Sequence, residues 1–509
     1  METLSNLFYS AASAFPDKEA IWCDGNTKSY KELESMVNRY SHFLMDCGIK
    51  YKEHIGIPMN NSIEAVALMF TAANLGVALV PINPTLSADA INKAFTYGDV
   101  KHVIARKAFF EQMDRSGNVE ISGAKICMDA EYEGTVSLQE ADKFENTRPI
   151  VGDVTGQESF ILTMTSGSTG SPKPIDLTQE NKYKRAMAHI RMYQITKEDR
   201  ILAATPLYHS LAERLVLIPL LIGGTSVLLP RFTPSIWLNC VKNQNVTFTI
   251  AVSAQLSQIA DLLSSPLAPE IDSLRCVVSS SALLEPHVKN ALIDKLKCDF
   301  HEMYGTSETS TVTDINFKET LQKKKSVGKA IEEADIRILS DDGMPLEIGK
   351  IGEIACRTEL LCGGYYNMPQ MFSAALSEGY FRTGDLGYLD EDGFLFFSGR
   401  KKELIITGGI NVYPPDVEAC VSQMEEVSEC AAFAYPDERL GEVVAIAIVL
   451  KEGCSLRKRT VQIHCARNLA DFQQPHEIFL VKDLPKNAMG KLVKGALVEY
   501  VAKEQIAFE

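Results

Sequence analysis

The sequence lacks the signatures of several common protein classes. Its 12 cysteines include no C-x-x-C pair, which excludes the usual zinc-ligand spacing and a compact disulfide framework. No Gly-Lys-Ser/Thr run and no G-x-G-x-x-G turn occur, so neither a common P-loop nor a dinucleotide-binding turn is present. The net charge of −15 argues against nucleic acid or an anionic membrane surface as a partner, because both require a basic face.

The sequence also lacks an apolar run long enough to cross a membrane. The stretch from Ala65 to Ala88 is predicted to be a buried helix that ends at Gly76 and is followed by a strand. The stretch from Leu215 to Pro230 is broken by Pro219 and two glycines, and is shorter than the roughly 20 residues that a span needs. The N-terminus has early acidic residues and no apolar core, so no secretory signal is predicted. Scattered cysteines predict reduced thiols in a cytoplasmic protein.

At 509 residues the chain is too long for one core, so several domains or subdomains are expected. Short apolar runs alternate with helical patterns over about the first 300 residues, which indicates parallel sheets covered on both faces. The runs predicted as strands are "HIGIPM", "ALVPIN", "HVIAR", "SFILTMT", "RILAATP", "TSVLLP", "FTIAV" and "LRCVVSS".

The pattern of apolar and turn-forming residues changes twice in the second half of the chain. From about Ala334, Asp-Gly turns predict hairpins in a smaller antiparallel region, and after Gly399 a further unit of alpha+beta texture begins. The predicted fold class is therefore α/β: a large N-terminal domain of parallel-sheet α/β subdomains plus a small β-rich subdomain, then a small mobile α+β C-terminal domain. We place the boundaries at 1–399 and 403–509, with a hinge at 400–402, although residues 400–402 could equally open a helix or strand.

The stretch Thr163–Lys173, "TMTSGSTGSPK", has the composition of a phosphate cradle. Gly167 and Gly170 permit unusual dihedrals that let successive backbone N–H groups point at one anion, and the hydroxyl residues add donors. Lys173 adds a mobile positive charge. The alternative for the composition alone is a disordered Ser/Gly loop.

Two further stretches of the sequence indicate that the bound phosphate belongs to a nucleotide. "HEMYGTSETS" offers Tyr304 to cover a base and a hydroxyl-plus-carboxylate pair, Thr306 and Glu308, suited to magnesium. "YFRTGDLGYLDEDG" sets Asp385 in a glycine turn, where a carboxylate can pair with two ribose hydroxyls. Taken singly, Glu308 could be an ordinary surface acid.

Two stretches near the C-terminus complete the set. "GRKKELIITGGINVYP" places Arg400 beside the predicted hinge and Gly408 and Gly409 in a loop where something thin could pass close to the backbone. "PKNAMGKLVK" presents Lys491 on a turn after a glycine. A lone lysine there would be a solvated charge in most proteins.

In this order and spacing the motifs resemble those of the adenylate-forming superfamily, which includes acyl-CoA synthetases, adenylation domains and luciferases. The resemblance runs from "TKSYKELESMVNRYSHFLMDCGI" to "LPKNAMGK". It implies ATP, Mg²⁺ and coenzyme A as cofactors and substrates, and Lys491, Thr306 and Glu308 as catalytic residues, with Glu308 holding magnesium. It implies further that Lys402 is the hinge and that Gly408 and Gly409 line the path of the CoA pantetheine. The ATP-binding residues it implies are Thr165, Ser166, Gly167, Ser168, Thr169, Gly170, Lys173, Ser281, Ala282, Tyr304, Gly305, Thr306, Asp385 and Arg400.

Several positions depart from the usual pattern of that superfamily. Pro174 replaces a common glycine, Gln179 a histidine, and Gln473 a lysine, while the run 280–282 is less glycine-rich than usual. None of these changes removes a charged group from the chemistry. They concern the rigidity of the nucleotide site and the contacts of the small domain in the thioester step.

The stretch "PLYHS" bears on the acyl substrate. It resembles the "PLFH" of acyl-CoA synthetases, and this resemblance places His209 at the gate of the acyl pocket. Amino-acid-activating domains have an aspartate there, so its absence argues against amino-acid substrates. Glu213 and Arg214 follow in an apolar run. We favour a helix-start acid with a neighbouring base over a polar pocket wall, and the acid itself stays unspecified.

The favoured function is an AMP-forming acid–CoA ligase. The first alternative is a free-standing adenylating enzyme that loads a separate phosphopantetheinyl carrier protein, which would share every motif above. A catalytically silent nucleotide-binding module is disfavoured because Lys491, Glu308 and Asp385 are all present. The oligomeric state is left open.

Overall fold

The structure is a computed structural model of the 509-residue chain. It describes residues 3–116, 120–149, 151–152, 154–166, 172–265, 269–407, 410–437, 439–486 and 492–508, without the side chains of Thr165 and Ser166.

The helices carry their start and stop signals in the sequence. Ser29 and Glu32 form a capping box at the start of the second α-helix, which satisfies two backbone donors reciprocally. The α-helices of the described part are α1 (Leu4–Ala14), α2 (Tyr30–Asp46), α3 (Ile63–Leu75), α4 (Ala88–Tyr97), α5 (Lys107–Ser116), α6 (Gln179–Met192), α7 (Ser210–Ile222), α8 (Pro234–Asn243), α9 (Ser253–Leu263), α10 (Pro286–Lys295), α11 (Pro369–Ala374), α12 (Pro414–Val421), α13 (Lys458–Asn468) and α14 (Leu497–Glu504). Short 3₁₀ helices span Leu138–Lys143, Leu321–Lys323, Lys401–Glu403, Asp471–Gln473 and Lys494–Ala496.

The strands include all eight apolar runs predicted from the sequence. In chain order the described strands are β1 (Glu19–Cys23), β2 (Asn26–Ser29), β3 (His54–Pro58), β4 (Ala78–Ile82), β5 (His102–Ala105), β6 (Lys125–Cys127), β7 (Val136–Ser137), β8 (Ser159–Ser166), β9 (Pro172–Thr178), β10 (Arg200–Ala203), β11 (Thr225–Leu228), β12 (Phe248–Val252), β13 (Cys276–Ser280), β14 (Asp299–Thr306), β15 (Ser310–Asn316), β16 (Gly328–Ala330), β17 (Ala334–Leu339), β18 (Gly352–Thr358), β19 (Gly364–Tyr365), β20 (Leu376–Ser377), β21 (Tyr380–Leu389), β22 (Phe394–Arg400), β23 (Ile405–Thr407), β24 (Ile410–Val412), β25 (Val427–Asp437), β26 (Gly441–Leu450), β27 (Glu477–Val481) and β28 (Gln505–Ile506).

Within the described residues the strands form three sheets. The first sheet runs β17-β18-β21-β22-β16-β15-β14-β13-β12-β10-β11-β1-β2, with β20 beside β21, and the second runs β19-β9-β8-β4-β3-β5-β6-β7. In the first sheet β14, β13, β12, β10, β11 and β1 are parallel, and in the second the parallel strands are β8, β4, β3, β5, β6 and β7. The predicted parallel-sheet α/β class is confirmed.

The hairpins predicted after Ala334 are present, but they do not form a sheet of their own. Strands β17, β18, β21 and β22 pair antiparallel with one another, and β22 pairs through β16 and β15 with β14. The β-rich region is therefore an extension of the first sheet. This continuity brings residues near position 385 close to residues near position 304.

The third sheet belongs to the C-terminal part of the chain. It runs β24-β23-β26-β27-β28, with β25 beside β26, and has a separate hydrophobic core that includes Val417, Val444 and Ile446. The chain passes from β22 of the first sheet to β23 of the third through Lys401–Glu403 and Leu404. A small α+β unit with its own core follows, as predicted.

The two long apolar stretches of the sequence form buried helices and strands inside the fold. Helix α3 is buried along nearly its whole length and ends at Gly76, whose φ of +64° is the left-handed cap predicted there. Pro219 lies inside α7, which ends at Gly223. Across the described residues no helix is both long and apolar enough to cross a membrane. All 12 cysteines are free thiols.

Candidate active site

Two of the predicted nucleotide segments, Ser281–Ala282 and Tyr304–Glu308, lie where the parallel strands β13 and β14 of the first sheet end. In α/β sheets ligands bind outside the carboxyl ends of the strands, because loops and helix N-termini converge there. Strand β14 ends at Thr306 beside the end of β13 at Ser280, with the pair in parallel register. Ser281 and Ala282 follow β13, and Glu308 follows β14, so the two predicted segments are neighbours.

The turn between β14 and β15 requires glycine at position 305. A Cβ atom on Gly305 would lie 1.7 Å from the carbonyl oxygen of Ser310, so any side chain would push the two strands apart. Inside the turn, Thr306 and Thr309 exchange hydrogen bonds between backbone N–H groups and hydroxyls at 3.0 and 3.2 Å. The Thr306 hydroxyl is thus already engaged, whereas the hydroxyl of Ser307 has no hydrogen-bond partner among the described residues.

Tyr304, Asp385 and Arg400 form one connected group. The Tyr304 hydroxyl donates to Asp385 Oδ2 at 2.9 Å, a contact between residues 81 positions apart. Asp385 pairs with Arg400 in the β21–β22 register, and Arg400 Nε lies 3.5 Å from Asp385 Oδ1. Burial and the nearby Asp385 carboxylate raise the pKa of Tyr304 well above its ordinary value, so the phenol stays neutral and donates.

Tyr365 connects Glu308 to Lys173. The Tyr365 hydroxyl donates to Glu308 Oε1 at 2.9 Å, and Lys173 Nζ lies 5.3 Å from the centre of the same ring. Lys173 lies in β9, which pairs antiparallel with β8. The predicted phosphate loop therefore lies between the paired strands β8 and β9, and its lysine end lies near the ring of Tyr365, whose hydroxyl binds Glu308.

The loop after β13 departs from the common backbone geometry. Ser281 has a φ of +79°, a left-handed conformation that favours glycine. The Ser253 hydroxyl donates to the carbonyl oxygens of Ser280 and Ala282, which hold the loop in this conformation. The serine-rich departure noted in the sequence is stabilised in this way by a neighbouring helix start.

His209 lies at the start of α7 as the N-cap residue, without a side-chain capping hydrogen bond. Its Nε2 is buried without a hydrogen-bond partner among the described residues, and its ring contacts that of Tyr208 edge to face at 4.4 Å. Burial lowers the pKa of His209 to about 4, so the imidazole is neutral near pH 7. A neutral group suits the wall of an acyl pocket.

Other predicted site residues fall outside the described part of the chain. These are Gly167, Ser168, Thr169 and Gly170 of the phosphate loop, Gly408 and Gly409, and Lys491. The side chains of Thr165 and Ser166 are also outside it, although their backbones pair with Lys173 and Pro172. Lys402 lies in the 3₁₀ helix Lys401–Glu403 at the junction between sheets.

Comparison with known proteins identifies the family of the chain. Residues 8–366 match the AMP-binding enzyme family, and residues 416–491 match the C-terminal domain of AMP-binding enzymes. The chain belongs to the AMP-binding enzyme family.

This AMP-binding enzyme is 28% identical over 494 residues to indoleacetate–CoA ligase of Aromatoleum aromaticum, with 96% of each chain covered. The structure of ATP-bound MatB from Rhodopseudomonas palustris has a TM-score of 0.87 at 26% identity, covering 98% of this chain and 99% of that one. The Bacillus subtilis o-succinylbenzoate CoA synthetase in complex with its acyl-adenylate intermediate has a TM-score of 0.86 at 26% identity, covering 99% of both chains. By its family and these relatives, the chain is an enzyme of the AMP-forming acid–CoA ligase type.

The structure adds a residue that the sequence analysis missed. Arg185 of α6 is fully buried and donates to three backbone carbonyls, those of Leu360, Ser307 and Glu308, at 2.9, 3.1 and 2.6 Å. Two of these carbonyls belong to the turn that carries Glu308. Arg185 therefore positions this turn from a helix more than 100 residues away in sequence, and no local pattern could have indicated it.

We expect Arg185→Met to lower the rate of adenylate formation about 10–100-fold, because two turn carbonyls lose a charged donor worth about 1.5–3 kcal/mol each. The measurement is pyrophosphate release as a function of Mg²⁺ concentration, and the Mg²⁺ requirement should rise if Glu308 is displaced. Arg191→Met is the matched control, because Arg191 lies on the same helix but pairs with Glu333 at the surface. A loss of stability with unchanged kinetics would assign Arg185 to the fold alone.

The side chains of the site can be compared with those that usually hold magnesium. Among the described residues no group of three His, Cys, Asp or Glu side chains could hold a metal ion. Magnesium bound with a nucleotide usually takes one or two carboxylates plus phosphate oxygens rather than an all-protein cage. Glu308 uses one oxygen on Tyr365 and has a second to offer, so it fits such a site.

Proposed function

We propose that this enzyme activates a carboxylic acid with ATP and then transfers the acyl group to the thiol of coenzyme A. In the first step a carboxylate oxygen attacks the α-phosphorus, and the bond to pyrophosphate breaks. In the second step the thiol attacks the acyl carbonyl of the adenylate, and AMP leaves. The observation that carries the proposal is the connected Tyr304–Asp385–Arg400 group next to the Glu308 turn, combined with the family.

The roles follow from charge and position. A carboxylate and a triphosphate repel each other, so the first step needs cations where negative charge builds up. Lys173 and Lys491 would supply two of them. Magnesium held by Glu308 and the phosphates would neutralise further charge when bound.

The nucleoside half of ATP would be held by the connected group. Asp385 and Arg400 would contact the ribose hydroxyls, with Tyr304 and the Ser281–Ala282 loop against the adenine. Because the Thr306 hydroxyl is engaged with Thr309, we add Ser307 as a second hydroxyl donor for the α-phosphate.

The domain assignment is part of the same proposal. We propose an N-terminal domain over residues 1–399, a hinge at 400–402 with Lys402 as its pivot, and a mobile C-terminal domain over 403–509 that carries Lys491. Gly408 and Gly409 would line the path of the pantetheine. A rotation about the hinge would let one site run two reactions, because Lys491 is needed only in the first.

The test of the function is acid-dependent exchange of pyrophosphate into ATP with a broad panel of carboxylic acids. Acids that support exchange are then offered with CoA or with a phosphopantetheinyl carrier protein, and the thioester is identified by mass. We expect exchange with at least one acid and a CoA thioester as product. Exchange without a CoA thioester but with carrier loading would replace CoA by the carrier, and no exchange with any acid would contradict adenylate formation.

We expect Asp385→Ala to raise the KM for ATP about 10–100-fold, because the ribose loses a charged acceptor worth about 1.5–3 kcal/mol. The KM for the acid should change little, since Asp385 would contact the nucleotide only. Asp392→Ala is the matched control, because Asp392 lies in the same hairpin but pairs with Lys323 at the surface. An unchanged KM for ATP would remove Asp385 from the site.

A further inference from the structure

A layer of buried charged side chains lies between helices α6 and α7. Lys182, Arg185 and His189 recur on α6 at spacings of three and four, which places them on one helix face. Glu213 and Arg214 face them from the first turns of α7. All five are buried, with Arg214 the most exposed at 8%. Such a layer needs an explanation, because buried charges are costly unless they are paired.

Two of the cations are accounted for by partners within the fold. Lys182 forms an ion pair with Glu213, so the acid in the first turn of α7 pairs with a helix more than 30 residues away and not with Arg214, its neighbour in sequence. Arg185 is satisfied by the three carbonyls described above. Glu213 is the only carboxylate among the five, so the positive charges exceed the negative ones.

Arg214 is the cation without a counterion. Its Nη1 lies 3.0 Å from His189 Nε2 and 3.5 Å from the Thr311 hydroxyl. His189 Nδ1 bonds the Arg185 carbonyl at 2.8 Å and must donate there, so Nε2 accepts and the ring is neutral. Among the described residues no carboxylate lies within ion-pair distance of Arg214, and its Nε and Nη2 have no acceptor.

The unused Nε–Nη2 edge belongs to the helix that begins at His209, the residue predicted for the acyl site. Arg214 is five residues past His209, and its contact Thr311 is three residues past Glu308. His209 Nε2 and Glu213 Oε1 are also buried without a hydrogen-bond partner in the described part of the chain. A carboxylate oxygen such as Glu213 Oε1 can only accept, so the charged donor that these turns offer to an anionic ligand is the Nε–Nη2 edge of Arg214.

We propose that Arg214 binds a second carboxylate of the acid substrate through its Nε–Nη2 edge, which makes the substrate a dicarboxylic acid activated at its other end. The inference rests on the proposed function and specifies its substrate class. Two parallel N–H groups match the two oxygens of a carboxylate in side-on geometry. Repulsion from Glu213 is offset because Lys182 neutralises that carboxylate.

The carboxylate bound by Arg214 is the one that does not react with ATP. A carboxylate held side-on by a guanidinium has both oxygens engaged as acceptors, which lowers its nucleophilicity. The reacting carboxylate needs an oxygen free to attack phosphorus. Two carboxylates at different ends of the molecule meet both requirements.

The test compares kcat/KM for ATP-dependent pyrophosphate release between diacids and their neutral-ended analogues. The panel is malonate, succinate, glutarate, adipate and the phthalate isomers, each with its monomethyl ester and the corresponding monocarboxylic acid. We expect at least one diacid to exceed its ester and its monoacid by about 100-fold or more, because a site built for a polar group rejects analogues without it. Arg214→Met should abolish that preference while the ester keeps its rate, and Arg214→Lys should retain part of it.

The control variant is Arg115→Met, because Arg115 is an exposed arginine on α5 that pairs loosely with Glu111 and should leave the preference unchanged. Turnover of monoacids that equals or exceeds that of every diacid in the unmodified enzyme would overturn the inference and leave the proposed function standing. Equal loss for diacids and esters in Arg214→Met would overturn it as well. Absence of turnover with any acid would instead contradict the proposed function. If Arg214→Met does not fold, the diacid preference of the unmodified enzyme and of Arg214→Lys decides the question.

Discussion

Replacement of Lys491 by alanine is expected to lower the rate of adenylate formation about 10²–10³-fold, the usual cost of removing one group that stabilises transition-state charge. Thioester formation from a supplied acyl-adenylate should be nearly unaffected. The reason is that the charge repulsion belongs to the first step only, in which a carboxylate approaches the α-phosphate. The thiol attacks a neutral carbonyl and does not need this cation.

The two half-reactions are measured separately, by pyrophosphate release and by CoA thioester formation from synthetic acyl-adenylate. Lys486→Ala is the matched control, because Lys486 lies in the same segment but pairs with Glu429 at the surface. Its variant should keep both rates. Equal loss of both half-reactions in Lys491→Ala would contradict a role confined to adenylate formation.

Lys402→Pro is expected to lower thioester formation by about two orders of magnitude while pyrophosphate exchange stays largely intact. Proline fixes φ near −65° and removes a backbone donor. Residues in 3₁₀ helices have φ between about −50° and −70°, so the φ that a proline would fix at 402 matches the turn Lys401–Glu403. A second arrangement of the C-terminal domain would need a different dihedral at this position and becomes costly.

Lys402→Ala is the control for the hinge, because it keeps the N–H group and the dihedral freedom and should retain both half-reactions. Gly409→Leu should reach a similar phenotype by another route, since its side chain would fill the proposed pantetheine path without touching ATP. Both Lys402→Pro and Gly409→Leu should accumulate enzyme-bound acyl-adenylate. Normal CoA turnover in both would contradict the rotating-domain proposal for this enzyme.

The local parts of the fold could be predicted from the chain because their causes are local. Alternation of apolar runs with helical patterns indicated the parallel sheets, and Gly76 marked the end of α3. The Asp-Gly turns indicated the hairpins after Ala334. That these hairpins continue the first sheet through β22, β16 and β15 could not be predicted, because the pairing joins segments far apart in sequence.

The residues of the candidate site also divide into those that the sequence could indicate and those that it could not. Tyr304, Asp385 and Arg400 could be named from short motifs, and the structure brings these three together. Lys491, Gly408, Gly409 and the phosphate-loop residues Gly167–Gly170 lie outside the described residues, so their roles stay predictions. The interpretation of Glu213 and Arg214 as an acid with a neighbouring base was incomplete. Glu213 does lie in the first turn of α7, but its partner is Lys182.

The sequence by itself determined the fold class, the order of the motifs and the family, because these depend on periodicity and on residue types at short spacings. Only the tertiary structure decided which charges meet in the interior. The Lys182–Glu213 pair, the contacts of Arg185 and the unpaired edge of Arg214 all depend on α6 packing against α7 and the β14–β15 turn. The cost of burying a charge depends on partners brought from distant segments, and neither composition nor spacing specifies them.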